Sequence, residues 1–279
     1  LVNIGEFNKL KIARQTDFGW FLNAGTGSTK DDILLPKNNA LGQELNTDDE
    51  VDAFIYRDSK DRLVATLKKP LAQVGDLAYL KVVATTKIGS FVNFGLEKDI
   101  LVPLKEKLYG LQDNRSYLFY IYLDKTGRIA ATTDVDRFLN IADKYKIGDS
   151  VTGTVYGFQT NRSAMIAVDN LYKGVILYNE YFTDLLHGDL LELSVNKIYE
   201  DGRLGLTPRK SARMEVTSLQ QIILDYLKEH NGKMPFNDKT SPEEIYAAFH
   251  ISKNYFKQAL GGLMKKNLIT QDVNGTQLK

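Results

Sequence analysis

Cysteine is absent from the chain. That excludes a disulfide framework, a thiolate metal site and a cysteine nucleophile, and it fits a reducing compartment. Histidine is scarce: His187, His230 and His250 stand far apart, with no spacing that sets two imidazoles on one metal, so no metal and no cofactor is expected. Apolar runs are short, and none approaches the roughly 20 residues of a membrane-spanning helix. A soluble, cytoplasmic protein with no membrane partner is expected. No basic-then-apolar leader is visible, and without a starting Met native residues are expected beyond the numbering used here. Net charge is lacking too: 36 Lys and Arg against 35 Asp and Glu leave +1. The whole molecule therefore has no field to draw in a polyanion, and any nucleic-acid affinity must come from local patches.

What is present is enough to build globular cores. Of 279 residues, 43% are hydrophobic and 25% charged, proportions that need neither metal nor disulfide to fold. Length alone suggests two domains, but one pattern recurs three times. Thr16-Asp17-Phe18-Gly19-Trp20-Phe21-Leu22-Asn23 matches Thr86-Lys87-Ile88-Gly89-Ser90-Phe91-Val92-Asn93 at Thr, Gly, Phe and Asn. A weaker third copy, Thr160 to Ala167, loses the Gly and has Met165 in the place of the Phe. Asp32-Ile33-Leu34-Leu35-Pro36, Asp99-Ile100-Leu101-Val102-Pro103 and Gly174-Val175-Ile176-Leu177-Tyr178 follow in the three copies. Each copy closes with an Arg four residues before a Thr: Arg62 and Thr66, Arg128 and Thr132, Arg203 and Thr207.

Each copy holds five short segments rich in β-branched and aromatic residues. In the first these are Leu10 to Ala13, Trp20 to Asn23, Ile33 to Leu35, Val51 to Tyr56 and Leu63 to Leu67. Five strands in about 70 residues suit a small closed barrel of the oligonucleotide-binding type. Beyond Thr207 the pattern becomes helical. Leu219, Ile222, Ile223, Tyr226 and Leu227 recur at helical spacing up to Asn231-Gly232; Ser241-Pro242-Glu243-Glu244 opens a second helix; and Ser252 precedes a third, over Lys253 to Lys266. A hairpin around Asn274-Gly275 completes a winged helix. The expected class is mainly β with a C-terminal α+β module: OB-fold barrels over 1–69, 70–140 and 141–210, then a winged helix over 211–279.

Strand alternation sends Trp20 and Leu22 to one face and Phe21 with Asn23 to the other. Small residues, Ser90 and Ala164, align with Trp20, which assigns that side to the interior. Phe21 and Phe91 then face outward, where an aromatic either stacks on an unpaired base or covers a barrel end or interdomain contact. In the helical segment 11 basic residues meet 7 acidic ones, so the basic excess is local. Lys253 and Lys257 lie one turn apart on the third helix, and Lys265 and Lys266 at its end, placed either for phosphate contact or simply for the helix dipole.

These residues resemble the RNA-binding domain named after ribosomal protein S-one, a five-stranded barrel that binds single-stranded RNA through outward aromatics and nearby cations. The resemblance puts Phe21 and Phe91 at the stacking position, with Asn23 and Asn93 beside them, and makes Lys11, Lys81, Arg62 and Arg128 contacts to phosphate or base. The sequence departs from that pattern at Pro36 and Pro103, where the family often has His, and at Met165. The third copy is therefore expected to bind weakly or act as a spacer unless Tyr156 or Tyr178 substitutes. Three such domains followed by a winged helix resemble the conserved virulence factor B family. That resemblance implies a cytoplasmic RNA-binding regulator of virulence gene expression, acting after transcription; a non-enzymatic monomer is expected. Two alternatives stay open: a DNA-binding regulator working through the winged helix, and a scaffold on the ribosome or a ribonuclease.

Enzymatic motifs fail on context. Gly25-Thr26-Gly27-Ser28-Thr29-Lys30 looks like a phosphate loop, but a strand follows it where a helix is required. Asp48, Asp49, Glu50 and Asp52 read as a solvated turn at a strand start, and His187 has no Ser or Asp arrangement around it.

Overall fold

A computed structural model describes residues 2–181, 184–208 and 211–279. It contains three closed five-stranded barrels and a three-stranded sheet with helices. The chain divides into two compact units, 1–139 and 140–279.

The first unit holds two barrels. Barrel one comprises β1 (Phe7–Thr16), β2 (Gly19–Leu22), β3 (Ile33–Pro36), β4 (Glu50–Arg57) and β5 (Leu63–Thr66), in the order β1-β2-β3-β5-β4. Barrel two repeats this with β6 (Leu77–Thr86), β7 (Gly89–Val92), β8 (Ile100–Pro103), β9 (Ser116–Leu123) and β10 (Ile129–Thr132). Closure depends on the first strand serving two partners. β1 pairs with β4 along Phe7 to Lys11, then shifts register between Ile12 and Arg14 and pairs with β2. β6 shifts at the matching place, between Val82 and Ala84. Such an extra residue bends a strand and strengthens its twist, which a small barrel requires.

The recurring Gly of the repeat has a steric cause. Gly19 and Gly89 have φ near +154° and +150°, and a Cβ on either would run into the carbonyl oxygen of Leu35 or Val102. Trp20 is 7% exposed inside barrel one, and its indole N–H donates to the Leu45 carbonyl at 3.0 Å. Barrel two has buried Ser90 in that place, and its hydroxyl receives the Lys107 ammonium at 3.1 Å. The space vacated by the indole is thus served by a polar contact.

The two barrels share a core. Phe54, Tyr56 and Val64 of barrel one pack into the same cluster as Leu80, Phe94 and Ile121 of barrel two, with the Phe54 and Phe94 ring centroids 6.0 Å apart. Hydrogen bonds tie the seam: Val74 N–H donates to the Gly5 carbonyl at 2.9 Å, and the Arg57 side chain donates through Nε to the Gly127 carbonyl at 3.2 Å. A shared core of fully buried Phe makes these two barrels one packed body.

The second unit holds barrel three and the winged helix. Its strands are β11 (Ser150–Phe158), β12 (Ala164–Val168), β13 (Tyr172–Ile176), β14 (Leu190–Ile198) and β15 (Leu204–Pro208), again closed in the order β11-β12-β13-β15-β14. Met165 pairs with Val175 as Phe21 pairs with Leu34 and Phe91 with Leu101, so the weak third copy is structurally in register with the others.

The winged helix contains α1 (Ser211–Glu229), β16 (Lys233–Met234), α2 (Pro242–Phe249), α3 (Lys253–Lys265), β17 (Ile269–Asp272) and β18 (Gly275–Leu278). Leu219, Ile223 and Leu227 of α1 pack with Ile245 of α2 and Phe256, Leu260 and Leu263 of α3. Ser241 and Glu244 form a reciprocal capping box at the start of α2, with Pro242 at the first helical position. Two features exceed the sequence expectation. Helix α1 begins at Ser211, because the apolar spacing that sets in at Leu219 marks the packed stretch and not the start of helical bonding. The hairpin also gains β16 as a third strand, ordered β16-β18-β17, a pairing of two residues too short to leave a period in sequence.

Candidate nucleic-acid interface

On barrel one the outward side of β2 carries Phe21, which is half-buried between buried Trp20 and Leu22. The hairpin register places Arg14 opposite Phe21, and the guanidinium carbon lies 4.0 Å from the ring centroid. Arg14 is held there by an ion pair with the nearly buried carboxylate of Asp32. Phe18, 59% exposed, meets Phe21 edge-on with centroids 6.1 Å apart. These rings, Lys30 and Arg62 line an open depression of about 810 Å³. A planar guanidinium, one exposed ring and one half-buried ring supply the surfaces that stack on unpaired bases, with cations near phosphate. Sequence reasoning missed Arg14 and Phe18. Arg14 is found only when the register shift in β1 is known, and Phe18 lies in the turn before β2, outside the strand alternation.

Asn23 and Lys11 lie beside this depression. Lys11 is exposed, its carbonyl accepts the Asn23 backbone N–H at 2.8 Å, and both border a second hollow that shares Ala24 with the first. The Asn23 side-chain oxygen is committed to the Gly25 N–H at 2.8 Å, which leaves its amide donor for a ligand. Barrel two repeats these bonds: Asn93 N–H donates to the Lys81 carbonyl at 2.9 Å, and Asn93 Oδ1 accepts from Gly95 at 2.8 Å.

Phe91 is half-buried and outward like Phe21, but Ala84 stands opposite it where barrel one has Arg14. Its groove, about 240 Å³, runs along the seam, with Tyr56 and Arg57 of barrel one on one wall and Lys98 and Arg128 on the other. The two predicted arginines are already engaged. Arg62 donates through Nε and Nη2 to Asp58 Oδ2 at 2.9 and 2.7 Å, and Arg128 donates to Asp61 Oδ1 at 2.9 Å across the seam. The Arg128 hydrogen bond holds the Asp61 carboxyl below the usual range. A phosphate reaching Arg128 therefore competes with a carboxylate for the Nε donor.

In the second unit Tyr156 is only 6% exposed, packed away and closed to a ligand. Tyr178 is 38% exposed and lines a cleft of about 430 Å³ with Arg162 and Tyr181 of barrel three, Tyr246 of α2 and His250, which caps the end of α2. The Tyr246 hydroxyl donates to Asp184 at 2.9 Å, tying α2 to the barrel.

On α3, Lys257 and Lys265 are exposed. Lys253 and Lys266 have structural partners: the Lys253 ammonium donates to the Lys239 carbonyl at 3.3 Å, and that of Lys266 to Gln220 Oε1 of α1 at 2.7 Å. Val273, 89% exposed, forms the tip of the β17–β18 hairpin. Among the described residues no group of acidic or His side chains could hold a metal ion, and no helix is long and apolar enough to cross a membrane.

Comparison with known proteins agrees with this architecture. Residues 4–68 match the S1 domain family and residues 221–278 the CvfB-like winged helix domain. The chain is 32% identical to the uncharacterized protein YitL of Bacillus subtilis, over 99% of this chain and 93% of that one. It is 27% identical to conserved virulence factor B of Staphylococcus aureus, over 84% and 83%. A crystal structure of a multidomain protein with nucleic acid binding domains from Streptococcus pneumoniae covers 99% of this chain and 98% of its own, at 28% identity and a TM-score of 0.53. Barrels of the S1 type, a winged helix of the CvfB-like type and full-length relatives together place the chain in the conserved virulence factor B family.

Proposed function

We propose that the protein is a cytoplasmic, non-enzymatic regulator that binds single-stranded RNA and acts on gene expression after transcription. The observation that carries this reading is the Arg14–Phe21 pair on the outward side of β2, with Phe91 at the same register in barrel two. An aromatic held outward between buried neighbours, beside cations and in an open groove, suits a base with its phosphate. Each stacked base is worth about 1–3 kcal/mol. Lys11 and Lys81 extend the site along β1 and β6, and Arg62 and Arg128 join it where phosphate competes with Asp58 and Asp61. In the second unit, Tyr178, Tyr246 and Arg162 offer a further surface of the same chemistry. The name of the Staphylococcus aureus relative, conserved virulence factor B, supports a role in virulence. Binding of unstructured RNA in preference to duplex, weakening steeply with salt, is the expected result in fluorescence anisotropy; equal affinity for duplex would contradict it.

A second reading, a duplex-DNA contact through α3, is supported by exposed Lys257 and Lys265 and by the Val273 wing tip. It predicts that Lys257→Ala with Lys265→Ala in the full chain lowers duplex binding and leaves single-strand binding unchanged.

A further inference from the structure

Barrel three has lost the outward aromatic of the repeat, yet its equivalent groove has changed at three other positions in a concerted way. The turn between the fourth and fifth strands keeps the same backbone bonds in every barrel. The N–H of its first residue donates to the Arg carbonyl that ends it: Asp58 to Arg62, Asp124 to Arg128 and Tyr199 to Arg203, each at 2.9 Å. In barrels one and two that first residue is an acid whose carboxylate caps the turn, Asp58 accepting from Lys60 N–H at 2.9 Å and Asp124 from Thr126 N–H at 2.8 Å. In barrel three it is Tyr199, a ring in the place of the acid, and the capping carboxylate lies two residues on, where Asp201 accepts from the Arg203 N–H at 3.1 Å.

The neighbouring positions change with it. Val64 and Ala130 of the fifth strands correspond to Gly205, which pairs with Lys197 where Val64 and Ala130 pair with Tyr56 and Tyr122. A Cβ on Gly205 would stand 2.9 Å from Lys197 Cβ and 3.2 Å from Tyr199 Cε2, so the missing side chain is what lets the Tyr199 ring lie against β15. The Lys197 ammonium is 4.7 Å and the Arg203 guanidinium carbon 5.7 Å from the ring centroid. Arg203 is itself held by Asp201 at 2.8 Å. Tyr199, Lys197 and Gly205 line a hollow of about 260 Å³ with Glu180 and with Val175, whose counterparts Leu34 and Leu101 line the Phe21 and Phe91 grooves.

We propose that Tyr199 is the base-stacking platform of barrel three, with Lys197 and Arg203 meeting the flanking phosphates of single-stranded RNA. Met165 leaves the second strand without a ring, and the site has moved across the same groove to the turn between β14 and β15. This rests on the reading that the barrels bind single-stranded RNA. It separates barrel three from its neighbours in mechanism, since the ring that receives a base sits on the turn after the fourth strand and not on the second strand.

The test is ultraviolet crosslinking of the full chain to a bromouridine-substituted oligouridylate, with the attached peptides mapped by mass spectrometry. A crosslink at Tyr199 is expected. Tyr199→Leu should abolish it and lower affinity roughly fivefold to tenfold, within the range of one lost stacked base. Gly205→Ala, which keeps the Tyr but displaces its ring, should do the same, whereas Tyr199→Phe should bind normally. Circular dichroism confirms that each variant is folded. Crosslinks at Phe21 and Phe91 with none at Tyr199, and unchanged affinity in Tyr199→Leu, would overturn the platform and leave the first two barrels as read. Absence of any crosslink and of any RNA affinity would overturn both.

Discussion

The Arg14 guanidinium lies over the Phe21 ring at 4.0 Å while Asp32 holds it from the side, so an aromatic and a cation are presented to solvent as one surface. Removing the cation tests whether the pair acts together. Arg14→Ala should weaken RNA binding about fivefold, the scale of a partly exposed cation–π contact, and reduce the slope of log affinity against log salt by nearly one. Anisotropy titrations at several salt concentrations measure both.

Asp61 and Arg128 set a pH-dependent contact at the seam. The Arg128 hydrogen bond lowers the Asp61 value below its ordinary 3.8, so this contribution is fully present above that value and is lost as pH falls through the folded-state one. An NMR titration of the Asp61 carboxyl should show a midpoint below 3.8. Asp61→Asn should free Arg128 and raise RNA affinity about twofold at neutral pH, the modest scale of a surface pair.

Phe54 is fully buried in a core contributed by both barrels of the first unit. Phe54→Ala should cost about 3–5 kcal/mol, and hydrogen exchange should show barrels one and two losing protection together. Retention of full protection in barrel two would contradict a shared core.

Gly89→Ala sets a Cβ against the Val102 carbonyl at a φ of +150°. A loss of stability above about 1 kcal/mol is expected in urea denaturation, with the Phe91 strand affected first.

Lys266 and Lys257 should separate structure from binding on α3. Lys266 bonds Gln220, which is 7% exposed, so Lys266→Ala leaves a buried amide without this partner and should cost about 1–3 kcal/mol of stability. Lys257→Ala should leave the melting temperature unchanged and lower affinity for duplex DNA.

The barrels are legible in the sequence because each strand carries a two-residue period and the Thr-Gly-Phe-Asn offsets repeat. The Gly of that repeat marks a close approach of two strands, and the Phe an outward position between two buried ones. What stayed hidden depends on contacts across chain distance. Arg14 reaches Phe21 only through a bulged register, Arg128 finds Asp61 in the other barrel, and Lys266 finds Gln220 on another helix. The shared core behind Phe54 is hidden for the same reason, since a buried Phe on a strand looks alike whether its partner lies in its own barrel or the next. Tyr199 lies in the turn between β14 and β15, where barrels one and two have Asp58 and Asp124, so no repeated aromatic marks it.

The central claim is that RNA stacks on the outward aromatics of the first two barrels. Anisotropy of a fluorescent unstructured RNA with the double variant Phe21→Ala and Phe91→Ala, checked as folded by circular dichroism, tests it most directly. Loss of about two stacked bases predicts affinity down by 30-fold or more; unchanged affinity in the folded variant would contradict the account.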